Sequence, residues 1–83
     1  MGYVKKSINF RLRGKTYNLS VDDIVSSMEG VRPERIMKYY VRIGREDYPP
    51  KQVLSEALVI PKISFTTKDA YDILTRLGFG VKE

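Results

Sequence analysis

Residues 7–13, SINFRLR, alternate without a break: Ile8, Phe10 and Leu12 fall on one side, Ser7, Asn9, Arg11 and Arg13 on the other. A period of two marks a strand with one buried face. Gly14-Lys15 follows as a two-residue turn, its leading glycine suiting type II′. Residues 16–19 return with Tyr17 and Leu19 toward the core. The period then changes. Val21, Ile24, Val25 and Met28 recur at helical spacing behind Ser20. Ser20 and Asp23 have the spacing of a capping box, with Asp replacing the usual Glu and Leu19 stapling against Ile24. Gly30 is predicted as the C′ residue.

Residues 31–37 hold Pro33 and read as a short turn or connection. Residues 38–43 alternate again, with Lys38, Tyr40 and Arg42 on one face and Tyr39, Val41 and Ile43 on the other. Gly44-Arg45-Glu46 turns the chain into a brief strand at Asp47-Tyr48, which Pro49-Pro50 ends while pre-setting a helix. Val53, Leu54, Ala57 and Leu58 form that helix's buried stripe, and Pro61 stops it. Thr66 and Asp69 repeat the capping pattern before Ala70, Ile73, Leu74 and Leu77. Gly78 is the expected C′ residue, Phe79 its hydrophobic partner, and Val81 a final short edge strand.

The fold expected is α+β: a small single domain over residues 1–83, an antiparallel sheet of two hairpins with three helices packed on one face, in the order ββαββαα. Its core draws on Ile8, Phe10, Leu12, Tyr17, Leu19, Ile24, Met28, Val41, Ile43, Leu54, Leu58, Ile73, Leu74, Leu77 and Phe79. Gly14 and Gly44 lie 30 residues apart, as do Ile24 and Leu54. Any two ββα units share that rhythm, so it carries no functional weight.

Composition narrows the chemistry. With no cysteine and no histidine, disulfides, thiolate nucleophiles and the usual zinc ligands are gone, and so is the commonest general base. No glycine-rich phosphate loop is present. Asp22/Asp23 are accounted for by capping, and Glu46-Asp47 by a solvated turn. The expectation is a protein that is not an enzyme and needs no metal or cofactor. No apolar run approaches the roughly 20 residues that span a bilayer, and the N-terminal lysines precede no secretion-signal run. The expected address is the cytoplasm, with no membrane contact. A charge-rich composition lacking Cys, His and Trp also suits a thermophile.

The net charge is +5, unevenly spread. Residues 1–20 carry Lys5, Lys6, Arg11, Arg13 and Lys15 without an acid, and residues 32–45 carry Arg32, Arg35, Lys38, Arg42 and Arg45 against Glu34 alone. Both blocks fall on the expected hairpins. Were these hairpins one sheet, its open face would gather Lys5, Asn9, Arg11, Arg13, Lys38, Tyr40 and Arg42: cations for phosphates, a tyrosine to stack, an asparagine for a base edge. The plain alternative is a wet sheet face, half of which must be polar anyway. The absence of any acid among the seven favours a nucleic-acid partner, duplex DNA first. Tyr48, Pro49 and Lys51 add a firm surface at a helix start, where a lysine opposes the helix dipole unless an anion comes there. The competing reading is an assembly module, its edge strand or tyrosines forming a protein contact or a homodimer.

The run Tyr48-Pro49-Pro50-Lys51-Gln52-Val53-Leu54, preceded by Tyr40, Arg42 and Gly44 and followed by Phe65 and Leu74…Leu77-Gly78-Phe79, resembles the sulfur-binding domain of modification-dependent HNH restriction endonucleases. The likeness covers about residues 38–82. It implies a small DNA-reading module in which Tyr48 and Pro49 line the pocket for the modified phosphate and Lys51 lies near the backbone. Thr66-Thr67 stand where that family has glycines, and the N-terminal hairpin and helix have no counterpart in it.

Overall fold

A computed structural model describes residues 6–83. It is α+β, with two antiparallel hairpins and three helices as expected, but the strands divide between two sheets. Strands β1 (Ser7–Leu12) and β2 (Lys15–Ser20) form a separate ribbon. The second sheet has the order β4 (Glu46–Tyr48), β3 (Tyr40–Ile43), β5 (Val81–Lys82), all antiparallel. The separation has a simple cause. A strand has two edges, and β4 takes one edge of β3 while β5, pairing at Tyr40 and Val41, takes the other. No edge of β3 is left for the first ribbon.

The first hairpin turns one residue earlier than Gly14-Lys15. Leu12 pairs with Lys15, so Arg13 and Gly14 are the central residues. Their φ values of 55° and 80° are the positive pair that a type I′ turn demands. Arginine tolerates this poorly, and long-range bonds hold it there. Its Nε donates to the Ser64 carbonyl at 2.5 Å and Nη2 to that of Ile63 at 3.4 Å. In this register Phe10 stacks on Tyr17 with ring centroids 5.7 Å apart, and Asn18 Nδ2 donates to Asn9 Oδ1 at 2.8 Å.

Local signals set the helices. In α1 (Val21–Ser27) and α3 (Thr67–Arg76) both capping boxes are complete: Ser20 with Asp23, Thr66 with Asp69. Helix α3 ends in a Schellman motif, with Gly78 N–H on the Thr75 carbonyl and Phe79 N–H on that of Leu74. Helix α1 stops sooner than Gly30 implied: Met28 is the C-cap, and Gly30 carries the positive φ two residues on. Helix α2 (Pro50–Leu58) packs between the other two and sets Val53 and Leu54 at the centre of one core. Phe65, Ala70 and Tyr48 join that core, while Ile8, Tyr17, Leu58 and Phe79 are only partly buried at its margin.

Helix α2 ends on Val59, whose φ of 57° and ψ of 49° are left-handed. A β-branched residue there costs about 1–2 kcal/mol. Val59→Gly is therefore expected to stabilise the domain by about 1 kcal/mol, after allowing for the looser unfolded chain. Urea melts in dilute solution check it. An unchanged or lower midpoint would mean that the valine side chain is held by contacts worth more than its strain.

Candidate nucleic-acid interface

The Pro49-Pro50 step folds as its residues dictate. Pro49 is the extended N-cap of α2 (φ −63°, ψ 140°), and Pro50 takes the first helical position, where a missing N–H costs nothing. A proline has no side chain with which to cap. Helices α1 and α3 each begin on a hydroxyl and an aspartate, whereas α2 has neither a capping side chain nor an acid in its first turn. Its first turn carries Lys51 instead. The positive end of α2 is thus left uncompensated.

That end opens into a cleft of about 170 Å³ lined by Met37, Lys38, Tyr39, Pro49, Pro50, Lys51 and Thr67. No carboxylate lines it. Aromatic rings position its cations: Lys51 Nζ lies 5.7 Å from the centre of the Phe65 ring, and Lys38 Nζ 5.2 Å from that of Tyr39. Tyr39 is itself braced edge-on by Tyr71, centroids 5.5 Å apart. Lys38 also reaches Glu83 at 3.2 Å, and this hydrogen bond, followed by the charge of Tyr39, raises its pKa.

The other expected contacts lie elsewhere. Lys5 falls outside the described residues. Asn9 and Arg11 lie on the outer face of the first ribbon, Asn9 bonded to Asn18 and Arg11 Nη2 reaching the Gly14 carbonyl at 3.4 Å. Arg13 occupies the turn and folds back on Ile63 and Ser64. Tyr40 and Arg42 share the outer face of the second sheet with Asp47 and Lys82. Arg42 grips Asp47 through Nε at 2.8 Å and Nη2 at 3.4 Å. This bond raises the pKa of Arg42 and lowers that of Asp47. Asp47 therefore stays ionised to lower pH than an ordinary aspartate, and Arg42 stays neutralised with it. The single flat basic face expected from one continuous sheet does not form, because the two ribbons belong to separate sheets.

Tyr48 departs furthest from what the resemblance implied. It is 3 % exposed, pairs with Val41, and donates its hydroxyl to the Val31 carbonyl at 2.9 Å, with the Met28 carbonyl at 3.4 Å. It supports the cleft from within the core and does not line it. Pro49 and Lys51 do. Alternation puts Tyr39 on the face of Val41 and Ile43, but β3 begins only at Tyr40, so the alternation does not extend to it.

Gln52 is the other residue that pattern could not find. It is 4 % exposed, accepts from Glu34 N–H and donates to the Arg32 carbonyl, both at 2.8 Å. Helix α2 thereby holds the segment that leads to Met37, Lys38 and Tyr39.

Among the described residues no helix is long and apolar enough to cross a membrane, and no group of acidic residues is placed to hold a metal ion. No curated protein and no solved structure matches the chain. A family model described as SCO5918-like matches residues 13–83, from the turn of the first hairpin through β5 and including every residue of the cleft. The chain belongs to the SCO5918-like family.

Proposed function

We propose that the chain is a non-catalytic nucleic-acid-binding module, duplex DNA first among its partners, that takes the phosphate backbone at the start of α2. One observation carries the reading: among the described residues, the only α-helix begun without an acid or a capping side chain opens into a cleft walled by two lysines and a tyrosine. An anion there would complement the helix end and the Lys51 ammonium, and would compete with Glu83 for Lys38. Arg13 adds to the argument. It binds the carbonyls of Ile63 and Ser64 while Lys51 rests on Phe65, so one short segment receives a cation from the first ribbon and one from the junction.

The test is a fluorescence-polarisation titration against duplex DNA, single-stranded DNA, RNA, and duplex bearing a phosphorothioate linkage, each at two salt concentrations. With the two lysines of the cleft on phosphates, log affinity should fall with log salt at a slope of about −2. Lys51→Glu should weaken binding by at least about tenfold, since it reverses a charge at the contact. Asp47→Asn, which frees Arg42 at the neighbouring sheet, should strengthen it by about two- to threefold. If Lys51→Glu matches the wild type on every probe, the reading is lost. A preference for the phosphorothioate probe would extend the resemblance to its specificity.

A further inference from the structure

Among the described residues, Val59 and Ile63 are the two most exposed large apolar side chains, at 87 % and 84 %, and they flank Pro61 on the connection between α2 and α3. This is not a slack loop. Ser55 Oγ donates to the Ile60 carbonyl, Ile60 N–H returns to the Ser55 carbonyl at 3.2 Å, and Ser64 N–H bonds the Pro61 carbonyl at 3.0 Å. Arg13 clamps the far end through Ile63 and Ser64. The connection is a braced apolar ridge, and Val59 keeps a left-handed backbone on it that a glycine would adopt without steric strain.

A cleft lies on each flank, and Ile60 and Pro61 line both. One, of about 640 Å³, runs toward the hairpin tip, where Arg13 and Lys15 are its charged residues and Leu12 and Tyr17 its floor. The other, of about 420 Å³, has Glu56 as its charged residue beside Val59. Among the described residues neither Lys15 nor Glu56 makes a salt bridge or a side-chain hydrogen bond. The ridge therefore separates a basic groove from an acidic one.

We infer that this ridge is the contact between two copies of the chain, related by a twofold axis. Under that axis each ridge seats in a groove of the other copy, and Lys15 of each faces Glu56 of the second copy. Isologous contacts require such a surface, in which i meets j and j meets i. An acidic partner would satisfy Lys15 but meet Glu56 with like charge, and an anionic bilayer would do the same. The second copy presents both signs in the complementary order. The proposal shares the Arg13-held segment with the nucleic-acid reading, but its contact is the end of α2 whereas that reading takes the phosphate at the start of α2.

Sedimentation velocity from the micromolar to the near-millimolar range tests it, with circular dichroism melts as the folding control. The wild type should form a dimer. Val59→Asn with Ile63→Ser removes the apolar ridge at exposed positions, and asparagine suits the left-handed backbone, so the fold should persist while dimerisation weakens by at least about tenfold. Lys15→Glu and Glu56→Lys should each weaken it by about tenfold, and the two together should restore it to within about threefold of wild type. A wild type that stays monomeric throughout overturns the proposal, whether or not acidic peptides or anionic vesicles bind it. So does a dimer indifferent to the ridge variant, or a charge swap that fails to rescue.

Discussion

Leu54→Ala is expected to destabilise the domain by roughly 3–5 kcal/mol. Leu54 is 0 % exposed on the helix that packs against both others, so the removed side chain leaves a void walled on several sides. Interiors are packed near crystal density and collapse only partly around such a void. At roughly 0.05–0.15 kcal/mol per residue, a domain of this length has about 4–12 kcal/mol in all. A single substitution would thus remove a quarter or more of it. Urea denaturation should show a much lower midpoint with an unchanged slope. A loss under about 1.5 kcal/mol would mean that α1 and α3 close over the gap, contrary to the packing described. Leu58, one turn on and only partly buried, should cost clearly less.

Much of this architecture can be read from residues that act on their near neighbours. Ser20 with Asp23, Thr66 with Asp69, and Gly78 with Phe79 work within a few positions of themselves, and each does what its spacing implies. The alternation of Ile8, Phe10 and Leu12 likewise survives intact. What was not legible depends on contacts distant in the chain. A turn at Gly14-Lys15 and one at Arg13-Gly14 both keep Phe10, Tyr17 and Leu19 on one face. The second is held in part by carbonyls about fifty residues away, at Ile63 and Ser64. The short strand at Val81 is expected, but nothing local says which edge it takes, and it is β5 that fills the free edge of β3.

The candidate site divides along the same line. Pro49 and Lys51 were visible because the prolines fix where α2 starts. Lys38 reaches the cleft from the connection before β3, not from a sheet face. Tyr40 and Arg42 keep their outward face, but alternation cannot report what stands opposite, and Asp47 does. Charge counted along a chain measures supply. Which cations remain available to a partner is decided by cross-strand register.

Gln52→Leu should show how far the cleft depends on its support, at an expected cost of about 2–4 kcal/mol. Leucine keeps most of the volume but leaves the Glu34 N–H and the Arg32 carbonyl without their partner in a partly buried setting. Gln52→Glu separates the two halves of this interaction. A carboxylate can still accept from Glu34 N–H, but it places an acceptor against the Arg32 carbonyl and a charge in a 4 %-exposed position, so it should be at least as damaging. Tyr48→Phe removes the hydroxyl bond to Val31, just ahead of the same segment, at about 1–2 kcal/mol. Because both residues tie down one stretch of chain, the double variant should lose less than the sum of the two. Amide exchange distinguishes a local effect from a global one. In Gln52→Leu the Glu34 amide and those of Met37, Lys38 and Tyr39 should exchange faster than the core of α2. Affinity for a phosphate backbone should fall with them, although no charge has changed. Uniform acceleration across α2 and the segment alike would instead make Gln52 a general stabiliser, and the link from its amide to the cleft wall would be broken.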